Sequence, residues 1–228
     1  MKKNTALVIG QLGLVHSLQE AGIPFILGTE KDNNYIRYSK FVKNVSYFSS
    51  FKSEKFVEEL CELAKSLSGK AVIFSDDDDA IYTISEHRER LEGHYLFSFP
   101  NKETVSKVLD KQHFSILAEK YDLPAPKSFN ISNINELTNA AENCEFPCII
   151  KPVFRSDWYH PDFSKVVGKY KKAFVLENKE DLLQLYNKIT AINPNLVLQE
   201  YIEGDDKLHF SVNMYVDENH ITRGIYIC

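Results

Sequence analysis

Lysines that follow apolar segments are the residues of this chain best suited to binding an anion. Cys148-Ile149-Ile150-Lys151-Pro152 is a run of strand-forming residues that ends in a cation. Burying an ammonium group without an anionic partner is costly, and a bound phosphate would supply that partner. The alternative is a lysine at the end of an edge strand whose ammonium reaches solvent along its aliphatic stem. The local sequence leaves both readings of Lys151 open.

Two further lysines are candidate phosphate ligands. Lys111 lies inside residues 101–121, where the apolar spacing predicts one helix capped by Asn101. Lys172 begins a strand predicted over residues 172–177. For each of them a solvated surface lysine is the default alternative.

A second string combines an extended backbone with acidic side chains, Leu198-Gln199-Glu200-Tyr201-Ile202-Glu203-Gly204-Asp205-Asp206. An extended chain can offer a carbonyl oxygen and an N–H group to the edge of a purine ring. A carboxylate can accept hydrogen bonds from ribose hydroxyls. The alternative is an edge strand that ends in an ordinary Gly-Asp turn.

The order of Lys111, a two-proline turn, Lys151 and the 198–206 string resembles the ATP-grasp superfamily. The resemblance implies bound ATP, with the adenine amino group facing Gln199, a ring nitrogen accepting from the backbone of Ile202, and Asp206 holding the ribose. The nucleotide-binding residues that it implies are Lys111, Lys151, Lys172, Gln199, Glu200, Ile202 and Asp206.

The resemblance also implies an activity. ATP-grasp carboxylate-amine ligases phosphorylate a carboxylate with ATP, and an amine then attacks the acyl phosphate to form an amide. We expect Arg223 to approach the acyl phosphate. The family's Mg²⁺ ligands, an Asp or Glu and a Glu-x-Asn string, would fall beyond residue 228, so we expect the chain to be the N-terminal part of a longer protein. A non-catalytic ATP-binding module is the alternative.

The segment from Val153 to Tyr170 points to one branch of the superfamily. It has no regular period, which predicts a loop of functional length. Gly168 is its single glycine, whereas many ATP-grasp proteins carry several there. This loop is similar to the D-aspartate ligase branch. We therefore expect small-molecule substrates, a carboxylate such as D-aspartate and an amine, and a homodimer is compatible with the sequence.

Strand and helix patterns alternate from the beginning of the chain. An apolar strand over 5–10, a helix over 12–21 and a strand over 71–74 predict an α/β fold with a Rossmann-like parallel sheet. A second mixed unit begins near Lys127. The predicted domains are a Rossmann-like domain at 1–104, an ATP-grasp N-terminal subdomain at 105–204 and the first strands of a truncated C-terminal subdomain at 205–228.

Two turns in the first domain carry residues found at binding sites. Gly10 and Gly13 lie after the first strand, but a dinucleotide fingerprint has a further glycine between them, so a plain tight turn is favoured over NAD or FAD binding. Asp76-Asp77-Asp78-Asp79 follows the 71–74 strand. These carboxylates could cap a helix, or they could bind a substrate ammonium group or a metal.

Composition excludes several classes of function. The chain has 228 residues, 43% hydrophobic and 26% charged, as globular proteins have. Its net charge of −5 and scattered lysines make nucleic acid a poor partner. There is no signal-peptide pattern and no apolar run of about 18 residues, so we expect a cytoplasmic protein without a membrane partner. The four cysteines and seven histidines form no disulfide framework or zinc motif.

Overall fold

The computed structural model describes residues 4–10, 13–30, 39–154, 157–158, 161–168 and 171–228. The chain forms two compact units, Met1–Leu123 and Pro124–Cys228. No helix among these residues is both long enough and apolar enough to cross a membrane.

The first unit contains a five-stranded parallel sheet, which confirms the predicted Rossmann-like α/β fold. The elements of this unit in chain order are β1 (Ala6–Ile9), α1 (Gly13–Glu20), β2 (Phe25–Glu30), β3 (Val45–Phe48), α2 (Glu54–Ser66), β4 (Ala71–Ser75), α3 (Asp78–Glu86), α4 (Arg88–Leu91), β5 (Tyr95–Leu96), α5 (Lys102–Leu109) and α6 (Lys111–Lys120). The strands lie side by side in the order β3-β2-β1-β4-β5.

The core of this unit lies on both faces of the central strand β1. Leu7 and Ile9 pack in one cluster of buried residues, and Ala6 and Val8 pack in another. Successive side chains of a strand point to opposite faces, so a continuous apolar run is buried on both sides. This is why the sequence of β1 reads as uninterrupted apolar residues.

The prediction of a single helix over residues 101–121 is wrong, because the segment forms two helices, α5 and α6, separated by Asp110. Asp110 has an extended backbone, with φ −79° and ψ 112°, and one of its carboxylate oxygens accepts hydrogen bonds from the N–H groups of Gln112 and His113. Asn101 caps α5 as predicted, accepting from Thr104 N–H at 2.9 Å. The apolar periodicity continues across Asp110, so it does not indicate where one helix ends and the next begins. The only sequence signal for the boundary is the carboxylate of Asp110, which can cap a helix.

The first compact unit ends at Leu123, whereas the predicted first domain ends at residue 104. Helix α5 packs against α3 and α6 of the same unit. Lys102 also forms an ion pair with Glu86 at 2.5 Å. Both helices after residue 104 are therefore part of the unit that contains the parallel sheet.

The second unit contains a four-stranded antiparallel sheet. Its elements are β6 (Ser128–Ile131), α7 (Ile134–Asn143), β7 (Cys148–Pro152), α8 (Pro161–Val167), β8 (Phe174–Leu176), α9 (Lys179–Ile189) and β9 (Leu196–Glu200). The strands lie side by side in the order β6-β9-β7-β8. Side chains of the helices and of one sheet face form a single core, which includes Ile150, Leu182, Tyr186 and Leu198.

The segment predicted as a loop over residues 153–170 contains the short helix α8, so the loop prediction is wrong for that part. Phe163 of α8 is buried and stacks on Trp158, with ring centroids 4.7 Å apart. Trp158 also contacts Phe174 at the start of β8, at 5.3 Å. Residues 155–156, 159–160 and 169–170 of the predicted loop lie outside the described residues.

The chain after β9 forms a β-hairpin, in the segment 205–228 where strands are predicted. β10 (Val212–Val216) pairs antiparallel with β11 (Thr222–Ile227) as a separate two-stranded sheet. The turn between them is closed by the carboxylate of Asp217, which accepts from the N–H groups of Asn219 and Ile221 at 2.9 and 3.0 Å.

Candidate functional site

Lys151 and Gln199 meet on neighbouring strands of the second unit. The Lys151 ammonium donates a hydrogen bond of 2.7 Å to Gln199 Oε1. β7 and β9 are antiparallel, with Ile149 opposite Gln199 and Lys151 opposite Val197. Residues two apart on adjacent strands share a face, so this diagonal pair can touch across the ladder. The structure thus brings together two residues that lie 48 positions apart in the sequence.

The contact continues to a third residue that sequence reasoning missed. Gln199 Nε2 donates to Ser128 Oγ at 2.9 Å, and Ser128 Oγ in turn donates to the carbonyl oxygen of Pro126 at 2.9 Å. Ser128 is opposite Gln199 in the β6–β9 ladder. The serine has no recognisable motif of its own, and only the strand register reveals it.

The network occupies the sheet face opposite the helices. Cys148, Ile150 and Leu198 point to the core that α7, α8 and α9 cover. Their neighbours Ile149, Lys151 and Gln199 point the other way and are only partly buried. A cation and an amide therefore lie side by side on a face that the helices of this unit do not cover.

The proposed adenine-binding string leaves the sheet at the expected place. β9 lies between β6 and β7, so the alternative of an edge strand is wrong. The strand ends at Glu200, and Ile202 beyond it is 62% exposed. The backbone of residues 201–205 therefore continues past the sheet, where its polar groups can meet a ligand. The backbone of Asp206 opens a single 3-10 turn over Asp206–Leu208, and its side chain lies outside what the structure describes.

Glu200 lies on the other side of the strand from Gln199. Its carboxylate accepts from Lys127 N–H at 3.2 Å, and its own N–H donates to the Lys127 carbonyl at 2.9 Å. It lines a pocket of about 200 Å³ together with Phe129, Asn143 and Cys144. The side chain of Glu200 is thus separated from the Lys151–Gln199 pair by the sheet.

The other two candidate lysines have different settings. Lys111 is the first residue of α6 in the first unit, so it is not in the interior of a helix as predicted, and its side chain is partly buried. Lys172 is exposed and precedes β8, which begins at Phe174 rather than at residue 172. Their roles as phosphate ligands remain predictions.

Arg223 takes part in the hairpin. Its Nε donates to Asp217 Oδ2 at 2.6 Å across the turn. The hydrogen bonds from Ile221 N–H and Arg223 hold the pKa of the Asp217 carboxyl below its ordinary value. This contact gives Arg223 a local structural function, and its approach to an acyl phosphate remains a prediction.

The aspartate run caps a helix, as one of its two readings predicted. Asp77 is the N-cap of α3 and accepts from Ala80 N–H at 2.9 Å. Burial raises the pKa of the Asp77 carboxyl, and it also raises the pKa of Asp79 against the opposing effect of Lys52 at 3.7 Å.

Gly10 has a φ of +122°, and a Cβ there would lie 2.0 Å from Asp76 Oδ1. Residues with a side chain rarely adopt this φ, so the backbone conformation favours glycine here. The choice between a plain tight turn and dinucleotide binding remains a prediction. Gln11 and Leu12 of the turn lie outside the described residues.

Burial makes the thiols of Cys144 and Cys148 poor candidates for chemistry. None of the four forms a disulfide. Burial raises the pKa of the Cys148 thiol to about 12 and raises that of Cys144 as well. A thiol protonated at neutral pH is a weak nucleophile and a weak metal ligand. In the described part of the chain, no group of three histidine, cysteine or acidic side chains could hold a metal ion.

Known proteins resemble this chain in sequence and in fold. It is 29% identical to the D-aspartate ligase of Enterococcus faecium (strain Aus0004) over 197 residues, which covers 82% of this chain and 46% of the relative. No family model matches it. The structure of N5-carboxyaminoimidazole synthetase from Staphylococcus aureus in complex with ADP superimposes with a TM-score of 0.69 at 16% identity, covering 97% of this chain and 53% of that one.

An L-amino acid ligase from Bacillus licheniformis has a TM-score of 0.67 at 12% identity, over 99% of this chain and 49% of that protein. The chain thus spans about half the length of the proteins it matches. These structural neighbours are ligases of the ATP-grasp fold. The chain is a homologue of D-aspartate ligase, and it has the ATP-grasp fold.

Proposed function

We propose that the protein is an ATP-dependent carboxylate-amine ligase of the D-aspartate ligase type. The observation that carries this proposal is the Lys151–Gln199 pair on the uncovered sheet face of a D-aspartate ligase homologue. ATP would phosphorylate the carboxylate of D-aspartate to give an acyl phosphate and ADP. An amine would then attack the acyl carbon, lose a proton and expel phosphate, leaving an amide.

The residues on this face suit a nucleotide. Gln199 Oε1 is an acceptor for the 6-amino group of adenine, and the Lys151 ammonium, 2.7 Å away, is a donor for phosphate oxygens. The chain just beyond β9, at Ile202, can bind the edge of the ring through its backbone. Lys111, Lys172, Asp206 and Arg223 complete the proposed set as phosphate, ribose and acyl phosphate ligands.

Magnesium has no assigned step in this proposal. The residues that the structure describes contain no group of three histidine, cysteine or acidic side chains that could hold a divalent cation. The contribution of this chain is therefore to seat the nucleotide and to screen the charge of its phosphates through lysines. We also propose that the protein acts in the cytoplasm, where ATP is available, on small-molecule substrates, and that a homodimer is its assembly.

The proposal is tested by measuring ADP and phosphate release. The purified protein is given ATP, Mg²⁺ and D-aspartate with a panel of amines, and L-aspartate serves as the matched control. We expect ADP formation that depends on D-aspartate and an amide product detected by mass spectrometry. Tight ATP binding without ADP formation for any pair would instead indicate the non-catalytic ATP-binding module, and absence of ATP binding would refute both.

A further inference from the structure

Ser128 joins the Lys151–Gln199 pair although no motif includes it. It lies on β6, is partly buried, and makes two hydrogen bonds of 2.9 Å through one hydroxyl group. One joins it to the carbonyl oxygen of Pro126 and the other to the side-chain amide of Gln199. The hydroxyl thus links the backbone at the start of the unit to a residue of the proposed adenine site.

Donor and acceptor chemistry fixes the direction of this network. The Pro126 carbonyl can only accept, so the Ser128 hydroxyl must give its proton to it and accept from Gln199. Gln199 must therefore present Nε2 to Ser128. At the other end the Lys151 ammonium can only donate, so it must meet Oε1. Both ends independently require the same orientation of the amide.

Nucleotide binding affects the two hydrogen bonds of the Gln199 amide, to Lys151 and to Ser128, in different ways. A phosphate oxygen is a stronger partner for an ammonium group than a neutral amide is. When Lys151 turns to the phosphate, Ser128 is the contact that still prevents the Gln199 amide from flipping. The orientation matters because the 6-position of adenine carries an amino donor, whereas that of guanine carries an oxygen acceptor.

We propose that Ser128 is a positioning residue that makes the nucleotide site select adenine over guanine. It keeps Gln199 Oε1 available to the 6-amino group and keeps the Nε2 donor turned away from the base. This inference rests on the proposed function, because it presumes that Gln199 faces the purine.

The test compares ATP and GTP affinities by isothermal titration calorimetry for the wild type, Ser128→Ala and Ser128→Thr. We expect Ser128→Ala to weaken ATP binding about three- to tenfold, as for one lost hydrogen bond, and to change GTP binding less than about twofold. Ser128→Thr keeps the hydroxyl and should restore the preference for ATP. Thr138→Ala is the matched control, since it removes a hydroxyl-to-carbonyl bond of 2.9 Å on α7 of the same unit.

A second measurement tests the hydrogen-bond network without nucleotide. In the free protein, the side-chain NH₂ protons of Gln199 should exchange faster with solvent in Ser128→Ala than in the wild type, as measured by NMR. Unchanged exchange, or an equal loss of ATP and GTP affinity, would overturn the inference and leave the proposed function intact. A wild-type protein that binds no ATP would overturn both.

Discussion

Replacing Lys151 by methionine tests whether this side chain is a phosphate ligand. Methionine keeps an unbranched chain and removes the ammonium group. In the free protein the substitution removes a charge-assisted hydrogen bond to Gln199, so we expect the free energy of unfolding to fall by about 3 kcal/mol at most. The folded state should therefore be retained, and a change in affinity can be attributed to the ligand contact.

The expected loss of affinity follows from the setting of the side chain. Two unit charges 4 Å apart attract by about 4 kcal/mol at an effective dielectric constant of about 20. Lys151 is only partly buried, and its ammonium already has Gln199 Oε1 as a partner at 2.7 Å, so part of this attraction is offset. The appropriate figure is that of a charge-assisted hydrogen bond, about 1.5–3 kcal/mol, which corresponds to an ATP Kd about 10 to 150 times higher.

Isothermal titration with ATP and with ADP measures this change directly. Lys188→Met is the matched control, because Lys188 is an exposed lysine on α9 of the same unit. We expect the control to bind ATP as the wild type does. If Lys151→Met binds ATP within about threefold of the wild type, Lys151 does not contact phosphate and the proposed site is wrong.

Further predictions concern stability. Asp77→Ala removes the N-cap of α3 and should lower the free energy of unfolding by about 0.5–2 kcal/mol in urea titrations, more than Asp78→Ala, whose side chain is exposed. Because the pKa of Asp79 is raised in the folded protein, its stabilising contribution is complete below its ordinary pKa and is lost as pH rises through the folded value. The melting temperature of Asp79→Asn relative to the wild type should therefore increase from pH 3 to pH 7, and a decrease would contradict the assignment. Leu182→Ala should cost about 2–5 kcal/mol, because Leu182 is 0% exposed in the core of the second unit.

Helix caps and long apolar periods were predictable from the sequence because they depend on local chemistry. Asn101 begins a helix since its side chain can accept from an N–H group three residues later, whatever surrounds it. The short helix α8 was missed because its seven residues contain one buried aromatic side chain, Phe163, which is too few to show a period. The break at Asp110 was missed because the apolar spacing continues through it.

By itself, the sequence determined the α/β fold, the parallel sheet, the strand that carries Lys151 and the string from Leu198 to Asp206. Each depends on residue types and on spacing within a few positions. Only the tertiary structure decided that Gln199 lies on an interior strand, that Ser128 holds it, and that Glu200 faces the opposite side. Those features depend on strand register, and shifting an antiparallel pair by one residue would exchange the two faces of the sheet.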